Sequence, residues 1–210
     1  PMGLQFSITG IGIIMLQSAN NALGTTCVAA FTASMRIKYL FTCVFENIGV
    51  AMATYCGQNL GARRMDRVRQ GVWAATKITA VYFVFTVVVI YPFADDMMTL
   101  FVDGGQAEVT AKAAEYMRIT NYFYPALGML TVLRYSIQGL GFSNFSMLSG
   151  VMEMIARSGV SLYLVSALAW TGVCLGDPVA WCMADVFLFP AYWWVLRRLG
   201  RQCREQTPAV

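Results

Sequence analysis

Long runs of apolar residues, separated by short charged stretches, dominate this sequence and limit what it can fold into. Of the 210 residues, 58% are hydrophobic and only 12% are charged, whereas soluble domains carry about 25% charged residues. A water-soluble globule of this size could not bury so much apolar surface, so part of that surface must contact lipid. The sequence therefore predicts an integral membrane protein.

Six of the apolar runs have roughly the 20 residues that a helix needs to cross a bilayer. The runs lack the strict polar–apolar alternation of β-barrel strands. We therefore predict an all-α, polytopic membrane protein, with residues 1–210 forming a single six-helix membrane lobe. The predicted spans are Gly3 to Leu23, Val28 to Cys56, Val72 to Phe93, Ala113 to Leu140, Met147 to Trp170 and Val179 to Leu196.

Charges in the connecting segments differ in sign between the two ends of the predicted bundle. The segments after the second and sixth spans are basic, and those after the third and fifth are acidic. Because basic loops stay on the cytoplasmic side, both termini are expected in the cytoplasm. The basic residues are Arg63, Arg64, Arg67, Arg69, Arg197, Arg198, Arg201 and Arg204, and the acidic ones are Asp95, Asp96, Asp103, Glu108 and Asp177.

The stretch MATYCGQNLGARR at positions 52–64 contains two glycines four residues apart. It lacks the preceding strand, the further glycines and the lysine of a phosphate-binding loop. We interpret it as the end of the second span, where Gly57 and Gly61 allow close helix packing and the arginines anchor at lipid headgroups. Contact with headgroups also accounts for the net charge of +4, so no nucleic-acid partner is predicted.

Several classes of enzyme are disfavoured by composition. The chain has no histidine, and its six cysteines include no C-x-x-C pair. Histidine-dependent nucleophiles and histidine–zinc sites are therefore excluded, and no metal site, cofactor or disulfide framework is predicted. An intramembrane aspartyl protease needs two facing aspartates, but Asp177 is expected in an outer connection, which leaves Asp185 without a partner. We predict that the protein is not an enzyme.

Three charged residues lie deep within predicted spans, where each needs a partner or a function. Glu153 and Arg157 are four residues apart in the fifth span, which places them on one helix face as an ion pair. That pair has a structural or a coupling role. Asp185 is flanked by apolar residues in the sixth span. A lone carboxylate there is a candidate proton carrier, although a packing role is equally compatible with its position.

Other polar residues in the spans have two interpretations each. Gln17, Asn20, Asn121 and Tyr122 are candidates for lining a substrate or ion cavity, although hydrogen bonding between helices also explains such residues. Pro125 and Pro190 are candidate helix bends.

Charged residues nearer the ends of the spans are expected to extend toward the membrane surface. This expectation covers Arg36 and Lys38 in the second span, Lys77 in the third and Arg134 in the fourth. Glu46 lies deeper, and its role stays open.

Four segments together carry a resemblance to a known family. They are GLQFSITGIG, NALGTTCVAAFTA, AMATYCGQNLGARRMDRVRQG and YSIQGLGFSN followed by GVMEMIAR. They resemble the C-terminal lobe of bacterial multidrug and toxic compound extrusion (MATE) transporters, over essentially the whole chain. The resemblance implies helices seven to twelve of a twelve-helix transporter in the bacterial inner membrane, with an N-terminal six-helix lobe as partner.

The same resemblance implies antiport of small organic, often cationic compounds against H+ or Na+, with the coupling ion undecided. Some members carry a glutamate in the seventh helix and an aspartate in the tenth as cation ligands. Here the first span offers only amides, and the fourth offers Asn121 and Tyr122 at mid-span, which disfavours a sodium site of that kind. If an ion binds this lobe, Glu153 and Asp185 are the candidates because of their expected burial and not because of the family pattern.

Two alternative functions remain at this stage. A lipid-linked oligosaccharide flippase would need a strongly cationic cavity for pyrophosphate, for which Arg157, Arg36 and Arg134 are the available residues. A noncatalytic membrane scaffold would need no polar cavity between its helices. The chain begins with Pro1, so either Met2 is the initiator or the chain is a piece of a longer protein.

Overall fold

The computed structural model describes residues 2–100 and 106–205, with side chains described for residues 3–100 and 106–202. Within these ranges the regular secondary structure is entirely helical, as predicted. Asp103 and the side chain of Arg204 lie outside the described residues. The helices are α1 (Met2–Asn21), α2 (Thr25–Gly61), α3 (Met65–Thr99), α4 (Ala107–Tyr122), α5 (Tyr124–Gly139), α6 (Ser143–Gly159), a π-helical turn (Val160–Leu164), α7 (Val165–Leu168) and α8 (Trp170–Glu205).

The predicted spans correspond in order to α1, α2, α3, the α4–α5 pair, the α6–α7 segment and α8. Among the described residues, four stretches are long and apolar enough to cross a membrane: Thr25–Gly61, Met65–Thr99, Ser143–Leu168 and Trp170–Gln202. For α1 and the α4–α5 pair, membrane crossing stays a prediction. At a rise of about 1.5 Å per residue, the 37-residue helix α2 is longer than the hydrocarbon layer, so its ends reach into the headgroup regions.

Span four is broken between α4 and α5, next to one of the two prolines singled out in the sequence. Proline has no backbone N–H, and its ring clashes with the carbonyl four residues earlier, which disfavours a continuous helix. Accordingly, α4 ends at Tyr122, and Pro125 lies in the first turn of α5, where proline is well tolerated. Pro190, by contrast, lies within the uninterrupted helix α8, and a bend there stays a prediction.

The prediction that Asp177 lies in an outer connection was wrong. Helix α8 begins at Trp170, and Ala169 alone, with φ of 48°, separates it from α7. The glycines in TGVCLGDP serve helix packing. A Cβ on Gly172 would meet the backbone of Leu164 and Val165, and one on Gly176 would meet the side chain of Leu16. Asp177 is therefore a helical residue inside the bundle.

The core lies where α2, α5 and α8 meet the other helices. Helix α2 packs against α3, α4 and α5, while α8 packs against α5 and α6, and α1 packs mainly against α6. Phe45 at the centre makes edge-on ring contacts with Tyr82 and Tyr124, with ring centroids 5.1 and 5.6 Å apart. Such contacts fix the rotation of the helices about their axes, which decides the side chains that face inward.

The two basic segments lie at the same end of the bundle: Arg69 of the first is close enough to Tyr192, five residues before Arg197 of the second, for the two side chains to interact electrostatically. Arg63, Arg64, Arg67 and Arg69 are all exposed. In α8 the guanidinium groups of Arg197 and Arg198 lie over the rings of Trp193 and Trp194, at 4.7 and 5.0 Å. Arginine stacked on tryptophan is typical of a membrane–water interface.

The glycine-rich end of α2 packs closely against the end of α5. A Cβ on Gly57 would lie 3.3 Å from the carbonyl oxygen of Gly139, and a Cβ on Gly139 would run into the backbone of Ala53. Gly57 thus has the packing role predicted for it. Gly61 faces open space, so the prediction was wrong for that residue.

We expect Gly139→Ala to destabilise the protein by about 1–3 kcal/mol, because the added methyl group meets backbone that cannot rotate away. Thermal unfolding of the purified protein in detergent measures the effect. Gly200→Ala in helix α8 is the control, since nothing lies within 4 Å of a Cβ there, and it should be neutral or slightly stabilising. Equal behaviour of the two variants would contradict close packing of α2 on α5.

Candidate functional site

Charged side chains from four helices form a buried ionic network inside the bundle. Its members are Lys38, Arg134, Glu153, Arg157 and Asp177, each between 2% and 6% exposed. They alternate in sign along the network, so each carboxylate lies between two cations. Burial of an isolated charge is strongly unfavourable, and alternation of this kind offsets the cost.

Glu153 of α6 lies between Arg134 and Arg157 in the network. One carboxylate oxygen accepts a hydrogen bond from the guanidinium of Arg134 in α5. The other accepts one from Nη1 of Arg157, one helical turn away, at 3.1 Å. Arg134 also donates from Nε to the hydroxyl of Ser149 at 3.0 Å. The predicted Glu153–Arg157 pair is therefore confirmed, and Arg134 extends it to a second helix.

Asp177 of α8 lies between Arg157 and Lys38. Its Oδ1 accepts a hydrogen bond from Nε of Arg157 at 3.0 Å. Its Oδ2 accepts from Nζ of Lys38 in α2 at 2.5 Å and from the hydroxyl of Tyr116 in α4 at 3.0 Å. Arg157 thus bridges the two carboxylates, and the network with Tyr116 ties together α2, α4, α5, α6 and α8.

Two of these positions correct the sequence-based expectation. Lys38 and Arg134 were expected to extend toward the membrane surface, but each is 6% exposed and ion-paired within the bundle. The carboxylates of Asp177 and Glu153 hold them inside. The depth of Lys38 within its helix was the signal that could have indicated its burial, since this residue lies 13 residues after Thr25, where α2 begins. Arg36, by contrast, is exposed as expected.

Asp185 lies close to this network without joining it. It is 8% exposed, and its Oδ1 has no hydrogen-bond partner among the described residues. The charges of Arg134 and Glu153 act on it electrostatically, yet the described residues place no basic group within ion-pair distance. Asp185 is therefore a buried carboxyl group that takes no part in the salt bridges of the described residues.

An open cavity of about 530 Å³ adjoins the network, within the size range of small-molecule sites. Helices α1, α2, α5, α6 and α8 form its walls, and all five members of the network line it. Its apolar and aromatic wall includes Phe6, Leu130, Tyr39, Tyr135 and Trp181. The cavity therefore combines a generic hydrophobic surface with a few fixed polar groups.

The remaining predicted site residues are not brought into this cavity. Gln17 is exposed on α1, and Tyr122 is 68% exposed at the end of α4. Asn20 is fully buried, and its amide donates to the carbonyl of Cys27 at 3.4 Å, which fits a role in joining α1 to α2. Asn121 is also fully buried, and its amide atoms have no hydrogen-bond partner in the described part of the chain.

Sequence comparison places these features in a family. The chain matches the MatE family over residues 1–162. It is 28% identical over 174 residues to the probable multidrug resistance protein YpnP of Bacillus subtilis (strain 168). The matched region covers 82% of this chain and 38% of that relative. It is 21% identical over 208 residues to the probable multidrug resistance protein YoeA of the same organism, covering 94% of this chain and 43% of that relative.

Solved structures have the same fold. The chain is similar to the outward-facing conformation of a multidrug resistance MATE family transporter of the MOP superfamily, with a TM-score of 0.83, 18% identity, and coverage of 100% of this chain and 47% of that one. An inward-facing conformation of such a transporter gives a TM-score of 0.79, 19% identity, and coverage of 98% and 47%.

The apolar helices and their packing define a polytopic membrane protein with the fold of a transporter family, not of an enzyme family. The chain belongs to the MatE family, which confirms the resemblance noted in the sequence. It spans 38–43% of the length of the two Bacillus relatives and 47% of the two solved chains.

Proposed function

We propose that this chain forms one lobe of a secondary antiporter that exports drugs or other small organic compounds in exchange for H+ or Na+. The observation that carries this proposal is the drug-sized cavity inside the bundle, lined by a buried ionic network. Charged residues within a membrane bundle usually mark an ion or substrate pathway. An N-terminal six-helix lobe would complete the transporter in the bacterial inner membrane, with both ends of this chain in the cytoplasm.

The network also bears on the two alternatives. A flippase for a pyrophosphate-linked lipid would need cations free to bind phosphate, but Lys38, Arg134 and Arg157 are each paired with a carboxylate. A scaffold protein would have no need of a polar cavity between its helices. The geometry therefore favours the antiporter over both.

We expect the lobe alone, reconstituted in lipid vesicles, to show no exchange of organic compounds above the background of empty vesicles. The complete transporter that contains this lobe should show exchange, because the translocation pathway of a two-lobed transporter lies between repeats that move against each other. Efflux of ethidium driven by an imposed pH gradient or sodium gradient measures both and distinguishes the two coupling ions.

The outcomes of that experiment separate the possibilities. Robust exchange by the lobe alone would contradict the assignment of this chain to half of a transport unit. An inactive complete protein under both gradients would contradict antiport itself. The background control is a vesicle preparation that contains neither protein.

A further inference from the structure

One face of α2 lines the cavity between Met35 and Asn47, and it carries a carboxylate that the ionic network does not use. The cavity-lining residues of α2 recur at helical spacing: Met35, Lys38, Tyr39, Thr42, Cys43, Glu46 and Asn47. Residues three, four, seven and eight apart share one face of a helix. Lys38 belongs to the network, and Glu46 lies about two turns further along the same face.

Glu46 differs from the two carboxylates of the network in its partners. It is partly buried, and its Oε2 accepts a hydrogen bond from the hydroxyl of Tyr135 in α5 at 2.9 Å. Among the described residues no basic side chain lies within ion-pair distance of it, whereas Glu153 and Asp177 each have two cationic partners. In the described part of the chain, Glu46 is thus a carboxyl group on the cavity wall without a cationic partner.

The hydrogen bond from Tyr135 depends on the glycine one turn after Glu46. A Cβ on Gly49 would collide with the Tyr135 ring, so the absence of a side chain lets the ring lie against α2. That contact directs the hydroxyl back toward the carboxylate. The phenol is a neutral donor, so it orients Glu46 without bringing a positive charge to the site.

We propose that Glu46, oriented by Tyr135, binds the positive centre of a hydrophobic organic cation in this cavity. A carboxylate beside aromatic side chains such as Tyr39, Tyr135 and Trp181 attracts a cation through charge and through the ring quadrupoles. The apolar wall accommodates the organic groups around that centre. This inference rests on the proposed transport function and assigns the specificity residue within it.

Two lipophilic ions of equal size and opposite charge test the assignment: tetraphenylphosphonium and tetraphenylborate. We expect the complete transporter, purified in detergent, to bind the phosphonium in preference to the borate. Glu46→Gln should weaken phosphonium binding about tenfold, the effect of losing one charged contact, and Glu46→Asp should retain most of it. Glu115→Gln, an exposed glutamate on α4, is the matched control and should bind as the wild type does.

A second variant separates binding from folding. Tyr135→Phe removes the hydroxyl and keeps the ring against Gly49, so it should weaken binding by less than Glu46→Gln while the thermal unfolding temperature stays near that of the wild type.

Unchanged phosphonium binding by a folded Glu46→Gln variant would overturn this inference and leave the transport proposal standing. Preference of the wild type for the borate would also overturn it. Absence of exchange of any compound would overturn the proposed function, and this inference with it.

Discussion

Replacing Asp177 with asparagine is expected to lower the free energy of unfolding by about 3–5 kcal/mol, as is typical when one partner of a buried ion pair is removed. The carboxylate accepts hydrogen bonds from Lys38, Arg157 and Tyr116. Its loss leaves the Lys38 ammonium buried with no anionic partner among the described residues, while Arg157 keeps Glu153. Chemical or thermal unfolding of the purified protein in detergent measures the change.

An exposed pair in the same chain provides the control. Asp95 and Arg118 are also joined at 2.5 Å, but their side chains are 55% and 36% exposed. Asp95→Asn should therefore change stability by less than about 1 kcal/mol. Combining Lys38→Met with Asp177→Asn should recover part of the loss, because the stranded cation is removed. If Asp177→Asn and Asp95→Asn have equal effects, the network does not hold the helices together.

The existence of the helices could be predicted from the apolar composition of the chain, and one of their boundaries from the backbone constraint of proline. The break between α4 and α5 falls where a proline cannot continue a helix, beside Pro125. The start of α8 could not be found in the same way. In the sequence, an aspartate beside a proline between two apolar runs suggests a connection, and the charge alone would be too costly inside a bilayer. The pairings with Lys38, 139 residues away along the chain, and with Arg157 of α6 make that position tolerable.

In the candidate site, too, a contact within one helix was predictable from the sequence, whereas contacts between helices were not. The Glu153–Arg157 pair is encoded by a spacing of four within α6, and the sequence was sufficient to predict it. The links to Arg134 and Asp177 depend on how α5 and α8 are rotated against α6, which close packing decides. Glu46 is similar: its depth in α2 was evident, but its hydrogen bond from Tyr135 requires the contact at Gly49.

In the complete transporter, Asp185→Asn is expected to reduce exchange driven by a pH gradient by an order of magnitude or more, since ionisable groups inside membrane bundles commonly act as proton relays. The carboxyl group is 8% exposed and has no salt bridge among the described residues, so it can gain and lose a proton without dismantling the ionic network. The rate of efflux from proteoliposomes, followed from about pH 6 to 8 to include neutral conditions, measures the effect.

Stability and binding distinguish a proton carrier from a packing residue at this position. Asparagine nearly matches aspartate in shape and removes a buried ionisable group, so Asp185→Asn should leave the unfolding temperature unchanged or raise it. Phosphonium binding at equilibrium should stay near the wild-type level, because Asp185 does not line the cavity wall.

The control is Asp96→Asn, a substitution at an exposed aspartate of α3, which should change neither the rate of efflux nor its pH profile. An unaltered pH profile in Asp185→Asn would assign this residue to packing, and exchange driven by sodium alone would move the coupling site elsewhere.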